Sequence, residues 1–123
     1  MTMVLDTTVL IDVLRGEPSA SVWLLGLEVQ PSCSEITRVE ILCGLRSNER
    51  ALAERLFAGL TWVSVSESIA RDAGELGRKF RRSHTGVGPN DLIIAATAID
   101  QGAELATSNL KHFPMFRGLK RPY

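Results

Sequence analysis

Cysteine and histidine are scarce in this chain of 123 residues, with two of each. Cys33 and Cys43 do not form a CxxC pair, and neither His84 nor His112 stands at zinc-finger spacing from them. That argues against a zinc site. Both cysteines lie in apolar settings, PSCSE and ILCGL, and are expected to be small buried hydrophobes in a reducing compartment. Long uninterrupted hydrophobic runs are missing too. The apolar start, MTMVLDTTVLIDVLRG, is broken by Asp6 and Asp12. A signal peptide needs a basic start and an uncharged apolar run, and a membrane-spanning helix needs roughly 20 apolar residues. The expectation is therefore a soluble, cytoplasmic protein that does not enter a membrane. There is no GxxxxGK[ST], which excludes a P-loop enzyme. Internal repeats, linkers and low-complexity segments are also absent.

What is present fits an ordinary globular domain: 45% hydrophobic and 23% charged residues. A chain of this length carries one core, so residues 1–123 are expected to form a single domain. Net charge is zero, but it is divided along the chain. Residues 1–69 hold nine acids and five bases (−4), and residues 70–123 five acids and nine bases (+4). A surface divided in this way suits recruitment of a phosphate backbone to one side, whereas the plainer account is a set of solvated helix faces.

Hydrophobic periodicity alternates between strand and helix. Residues 2–6 form a short apolar run ending in an acid, a buried strand. Asp6-Thr7-Thr8 offers N-caps for a helix to Leu14, and Arg15-Gly16 closes it. Pro18 opens a second helix to about Leu27. A strand over Val29–Ser34 precedes a helix over Ile36–Leu45. Asn48 caps the next helix, which runs to Phe57 and stops at Gly59. Leu60–Val65 is a third strand. Ser66 starts a long amphipathic helix through Phe80. Thr85–Asn90 (TGVGPN) is the clearest loop. Leu92–Ile99 is an apolar helix covered on several sides, Glu104–Ser108 a fourth strand, and the stretch around Leu119 a candidate fifth. Strands separated by helices imply parallel pairing, hence a three-layer α/β/α sandwich with a mostly parallel sheet of four or five strands. Ligands of such sheets sit beyond the carboxyl ends of the strands.

Three acids fall near that edge. Asp6 ends the first strand, Glu40 lies one turn beyond Thr37, and Asp91 opens the helix after TGVGPN. Singly, each has a structural explanation as a cap, a solvated helix residue or a first-turn acid. Asp6 and Asp91, however, are embedded in very apolar segments, VLDTTVLI and NDLIIAATAI. Buried carboxylates are costly unless paired or bound to a cation, and no Lys or Arg lies in the same motifs. Hard oxygen ligands of this kind suit Mg²⁺ or Mn²⁺.

The motifs LDTTVLIDVLRGE, SEITRVEILCGL and GPNDLIIAATAIDQGAELATSNLKHF together resemble, in order and spacing, a PIN-domain ribonuclease, specifically the toxin of a VapBC-type toxin–antitoxin pair. The resemblance covers essentially the whole chain. It implies metal-binding acids at Asp6, Glu40 and Asp91, and a fourth catalytic position, often Asp, that falls on Asn109. An amide there hydrogen-bonds but adds no charge, which weakens any second metal site. Thr7, Ser34, Thr37 and Thr107 match hydroxyl positions that orient the carboxylates, with capping the alternative for Thr7.

The resemblance further implies endonucleolytic cleavage of single-stranded or structured RNA by a water that Mg²⁺ (or Mn²⁺) activates, with Asp91 or Asp6 as proton acceptor. Arg78, Arg82, Lys111 and Arg117 are candidate phosphate contacts. It implies a VapB-type antitoxin whose C-terminal segment occupies the groove beside the acids, and a homodimer. Val22-Trp23-Leu24-Leu25 and Ile41-Leu42 offer apolar surface for that partner, unless they are core. Two other phosphoryl-transfer classes fit less well. A haloacid-dehalogenase-type enzyme needs an Asp where Thr8 stands, and a response-regulator receiver needs one near Val65. A PIN scaffold used only for binding remains an alternative because of Asn109, and a DNA-directed nuclease of the same fold is another.

Overall fold

The computed structural model describes residues 2–123. Strand β1 (Met3–Leu5) leads into helices α1 (Thr7–Leu14) and α2 (Pro18–Leu25), then β2 (Ser32–Ser34) into α3 (Glu35–Cys43) and α4 (Arg50–Ala58). Strand β3 (Thr61–Val63) precedes the long α5 (Glu67–Phe80) and α6 (Pro89–Asp100), followed by β4 (Glu104–Ala106) and a 3₁₀ turn over Leu110–His112. The four strands form one parallel sheet in the order β3-β2-β1-β4. The chain builds outward from β1 to β3 and then returns to the other flank of β1, so its direction switches between β1 and β4. Ligand crevices of open α/β sheets form at that switch.

Alternation along the short strands assigns the two faces. Leu5 and Ala106 face the helices of the first half, packing with Val9, Leu10, Leu14, Ile41, Ala53 and Phe57. Val4 and Leu105 face the other way, against Ile94, Ala95, Ala98 and Phe113. The expected three-layer sandwich is thus present, with α1, α2 and α4 on one side and α5 and α6 on the other. Helix α6 is buried along most of its length, as its nearly all-apolar sequence required.

The boundaries differ from expectation in instructive ways. Each strand keeps only three paired residues. Helix α6 begins at Pro89, inside the expected loop, because Pro at the first helical position costs no hydrogen bond and Gly88 supplies the extended cap. The stretch around Leu119 forms no strand. Pro114 and Pro122 lack the N–H a ladder needs, and Gly118 turns the chain with φ +70°. Leu119 packs as a loop residue against the α6-side cluster instead. Of the two cysteines, Cys33 is buried as expected, and burial pushes its thiol up to about 12. Cys43 is exposed, because Ile41, two residues earlier on α3, takes the inward face.

Asn48 does not cap α4; Glu49 stands at that position. Asn48 instead occupies the left-handed region at φ 76°, where Asn is tolerated and β-branched residues are not. Asn48→Val is therefore expected to be less stable than Asn48→Gly by about 1–2 kcal/mol, read from urea unfolding midpoints.

Candidate active site

Asp6 follows β1 directly, and its backbone N–H continues the ladder to the Ala106 carbonyl at 2.9 Å. Its extended backbone makes it the N-cap of α1, and only 3% of the residue is exposed. Three donors hold the carboxylate. The Thr7 N–H gives to Oδ1 at 2.8 Å, while the Thr8 and Thr107 hydroxyls give to Oδ2 at 2.9 and 2.7 Å. Burial pushes the Asp6 carboxyl above its ordinary range, and those three hydrogen bonds pull it back only partly. The nearby charge of Asp91 pushes in the same direction as burial.

Glu40 projects from α3, and its Oε1 accepts the Thr7 hydroxyl at 2.6 Å. That spends the single hydroxyl proton of Thr7, so its 3.0 Å contact with the fully buried Thr37 leaves Thr7 as acceptor. Thr37 thereby acts on Glu40 through Thr7. Asp91 stands in the first turn of α6, where its Oδ2 accepts the Gly88 N–H at 3.0 Å and lies 3.2 Å from His112 Nδ1. Among the described residues, no hydrogen bond reaches Glu40 Oε2 or Asp91 Oδ1.

These residues line one cleft of about 410 Å³ at the carboxyl end of the sheet. Asp6, Glu40 and Asp91 face it with Thr7, Thr8, Asn109 and His112, and neither Lys nor Arg lines it. Among the described residues, no three acids, histidines or cysteines close into a ready-made group of metal ligands. The acids share the cleft at wider spacing. The donor chemistry still fits a hard divalent cation: three carboxylates, one raised by burial and by its neighbour, with oxygens left over on two of them. Mg²⁺ keeps several of its waters, which suits widely spaced carboxylates better than a closed cage does.

The remaining candidates are distributed unevenly. Thr107 is fully buried and bridges the site, giving its proton to Asp6 and accepting the Asn109 N–H at 2.9 Å. Ser34 does not orient an acid. As the N-cap of α3, its hydroxyl accepts the Ile36 N–H at 3.2 Å. Lys111 is exposed on the 3₁₀ turn between Asn109 and His112, beside the cleft. Arg82 is exposed in the turn after α5. Arg78 lines a separate apolar groove between α5 and α6, and Arg117 a cavity along the outer side of β4. Two site residues escaped the sequence reading. Thr8 was legible as a hydroxyl two residues after Asp6. For His112 only the short spacing from Asn109 gave a signal.

The chain matches the PIN domain family over residues 3–115. It is 46% identical over 122 residues to the ribonuclease VapC19 of Mycobacterium tuberculosis, covering 97% of this chain and 98% of that one. It is 41% identical over 123 residues to the ribonuclease VapC10 of the same organism, covering 98% and 92%. A chain in a solved toxin–antitoxin complex from Klebsiella pneumoniae superposes with a TM-score of 0.84 at 27% identity, covering 98% of each. The acid cleft at the β1–β4 switch and these likenesses along nearly the whole length lead to one assignment: this chain belongs to the PIN-domain family, in its VapC-type branch.

Proposed function

We propose that this protein is an Mg²⁺-dependent endoribonuclease and the toxin of a type II toxin–antitoxin pair, acting in the cytoplasm. The observation that carries this reading is the cleft itself, where three carboxylates share a sheet switch point and, among the described residues, neither Lys nor Arg neutralises them. Asp6, Glu40 and Asp91 would hold the metal, with Mn²⁺ as a substitute. The bound ion would supply Lewis-acid activation of water and offset charge on the phosphoryl oxygens. Asp91 is the better proton acceptor, because among the described residues no hydrogen bond reaches its Oδ1, whereas both oxygens of Asp6 already accept hydrogen bonds. Lys111, next to the cleft, is the best placed of the four basic candidates to meet an RNA phosphate.

The names of the Mycobacterium tuberculosis relatives support RNA as substrate and, through their VapC designation, an antitoxin of the VapB type, and the Klebsiella pneumoniae toxin–antitoxin complex supports an antitoxin as partner. Helix α2 supplies suitable surface. Trp23 and Leu24 pack inward, while Val22 and Leu25, three residues apart, are 72% and 86% exposed. Ile41 is core and does not contribute. A homodimer is part of the same reading.

Purified, antitoxin-free protein is expected to cleave RNA in Mg²⁺ or Mn²⁺ and to stop in EDTA, followed on a denaturing gel. A protein that binds RNA but never cuts it would favour the binding-module reading, which the uncharged Asn109 and the wide spacing of the acids support.

A further inference from the structure

The two contacts of His112 cannot both be made as simple pairs. Its Nδ1 lies 3.2 Å from Asp91 Oδ2 and 3.0 Å from the Asn109 side-chain amide. A ring nitrogen carries either a proton or a lone pair, not both. If Nδ1 accepted an amide N–H, its lone pair would face a carboxylate, which only accepts. If Nδ1 carries the proton, it donates to Asp91, and the amide must present its oxygen rather than its NH₂. No hydrogen bond reaches Nε2 among the described residues. That edge lies so close to Gly86 that a Cβ there would come within 3.4 Å of it. Among the described residues, the acceptor that can take a ring proton, the Asp91 carboxylate, lies at Nδ1 and not at Nε2.

We propose that His112 is a positioning residue that, as its Nδ1–H tautomer, fixes Asp91 and turns the Asn109 NH₂ into the cleft. The fourth corner of the site then offers a hydrogen-bond donor to an anionic oxygen, a substrate phosphate oxygen by its chemistry, and not a carbonyl ligand for a second cation. This goes beyond the ribonuclease reading, and only its activity arm depends on that reading.

Two measurements on the full chain decide it. Imidazole ¹⁵N NMR well above the ordinary histidine range of about 6.5 reports the neutral tautomer. The Nδ1–H form is expected for His112, and the Nε2–H form overturns the proposal whether or not the protein cleaves RNA. In cleavage assays, His112→Phe keeps the ring but loses the donor, and is expected to lose about 10–100-fold in kcat. His112→Asn places an amide N–H where Nδ1–H stood and is expected to recover most of that loss. Circular dichroism checks that both variants fold. If His112→Phe cleaves like wild type, or His112→Asn is no better than His112→Phe, the positioning role is wrong. A wild-type chain that never cleaves RNA would instead remove the ribonuclease reading and leave the NMR result to judge His112.

Discussion

Asp6→Asn is expected to lower RNA cleavage by about a thousandfold while making the metal-free protein more stable. The first effect follows from the proposed function, in which Asp6 would give a ligand charge to a cation that would stabilise the transition state by several kcal/mol. The second follows from the burial of Asp6. Its carboxyl is raised above the ordinary range by desolvation first, and by the charge of Asp91 in addition. For an acid raised in the folded state, the folded protein binds more protons than the unfolded one. Stability is then fully present at low pH and falls as pH rises from about 3.8 through the raised value. An amide removes that loss and keeps its oxygen toward the Thr7 N–H, while the Thr8 and Thr107 hydroxyls reorient to accept from its NH₂. Each kcal/mol recovered is worth roughly 4 °C in a domain of this size. Thermal unfolding in EDTA across pH 4–8 measures this. An Asp6→Asn melting curve below that of wild type at neutral pH would contradict the account. So would Mg²⁺ stabilising the variant as much as wild type.

Thr107→Val is the second large effect. The swap keeps the shape and adds a methyl in place of the hydroxyl, a gain of about 1 kcal/mol in apolar burial. Against that stand a lost hydrogen bond to a carboxylate, about 1.5–3 kcal/mol, and an Asn109 N–H left without its acceptor, about 1–3 kcal/mol. The losses win, by about 1.5–5 kcal/mol net. A fall of roughly 10 °C in melting temperature is expected. Cleavage should drop about 10–100-fold because Asp6 and Asn109 lose their shared anchor. Thr107→Ser retains the hydroxyl and should cleave nearly as wild type does. Equal activity of the Val and Ser variants would show that the bridge does not matter.

The parts of the site written into local sequence were legible. Asp6 ends an apolar run just before a helix, and Asp91 sits in the first turn after a glycine-proline loop, so strand and helix signals alone place both at one edge. Glu40 needed only the period of α3. Residues placed by tertiary contact were not legible. His112 reaches Asp91 because the segment after β4 folds back in a 3₁₀ turn, which has no periodic signal. The hydroxyls look alike in sequence. Thr107 spans the site, whereas Ser34 caps its own helix, and only the pairing of β1 with β4 separates those roles. The expected fifth strand failed because its hydrophobicity was real but its prolines and a left-handed glycine prevent pairing.

The bond from Thr107 to Asp6 joins residues 101 positions apart, and β4 is the last strand of the chain. During synthesis, β1 emerges well before β4 and waits with its β4 edge unpaired while the elements between them are made. Closing so long a loop is entropically slow, and it cannot begin until β4 is free. The acid centre is therefore among the last features to mature, and a truncated product lacking the final strand would have β1 but no assembled site. For a protein read as injurious to the cell that makes it, this order of assembly ties the proposed harmful activity to the synthesis of β4.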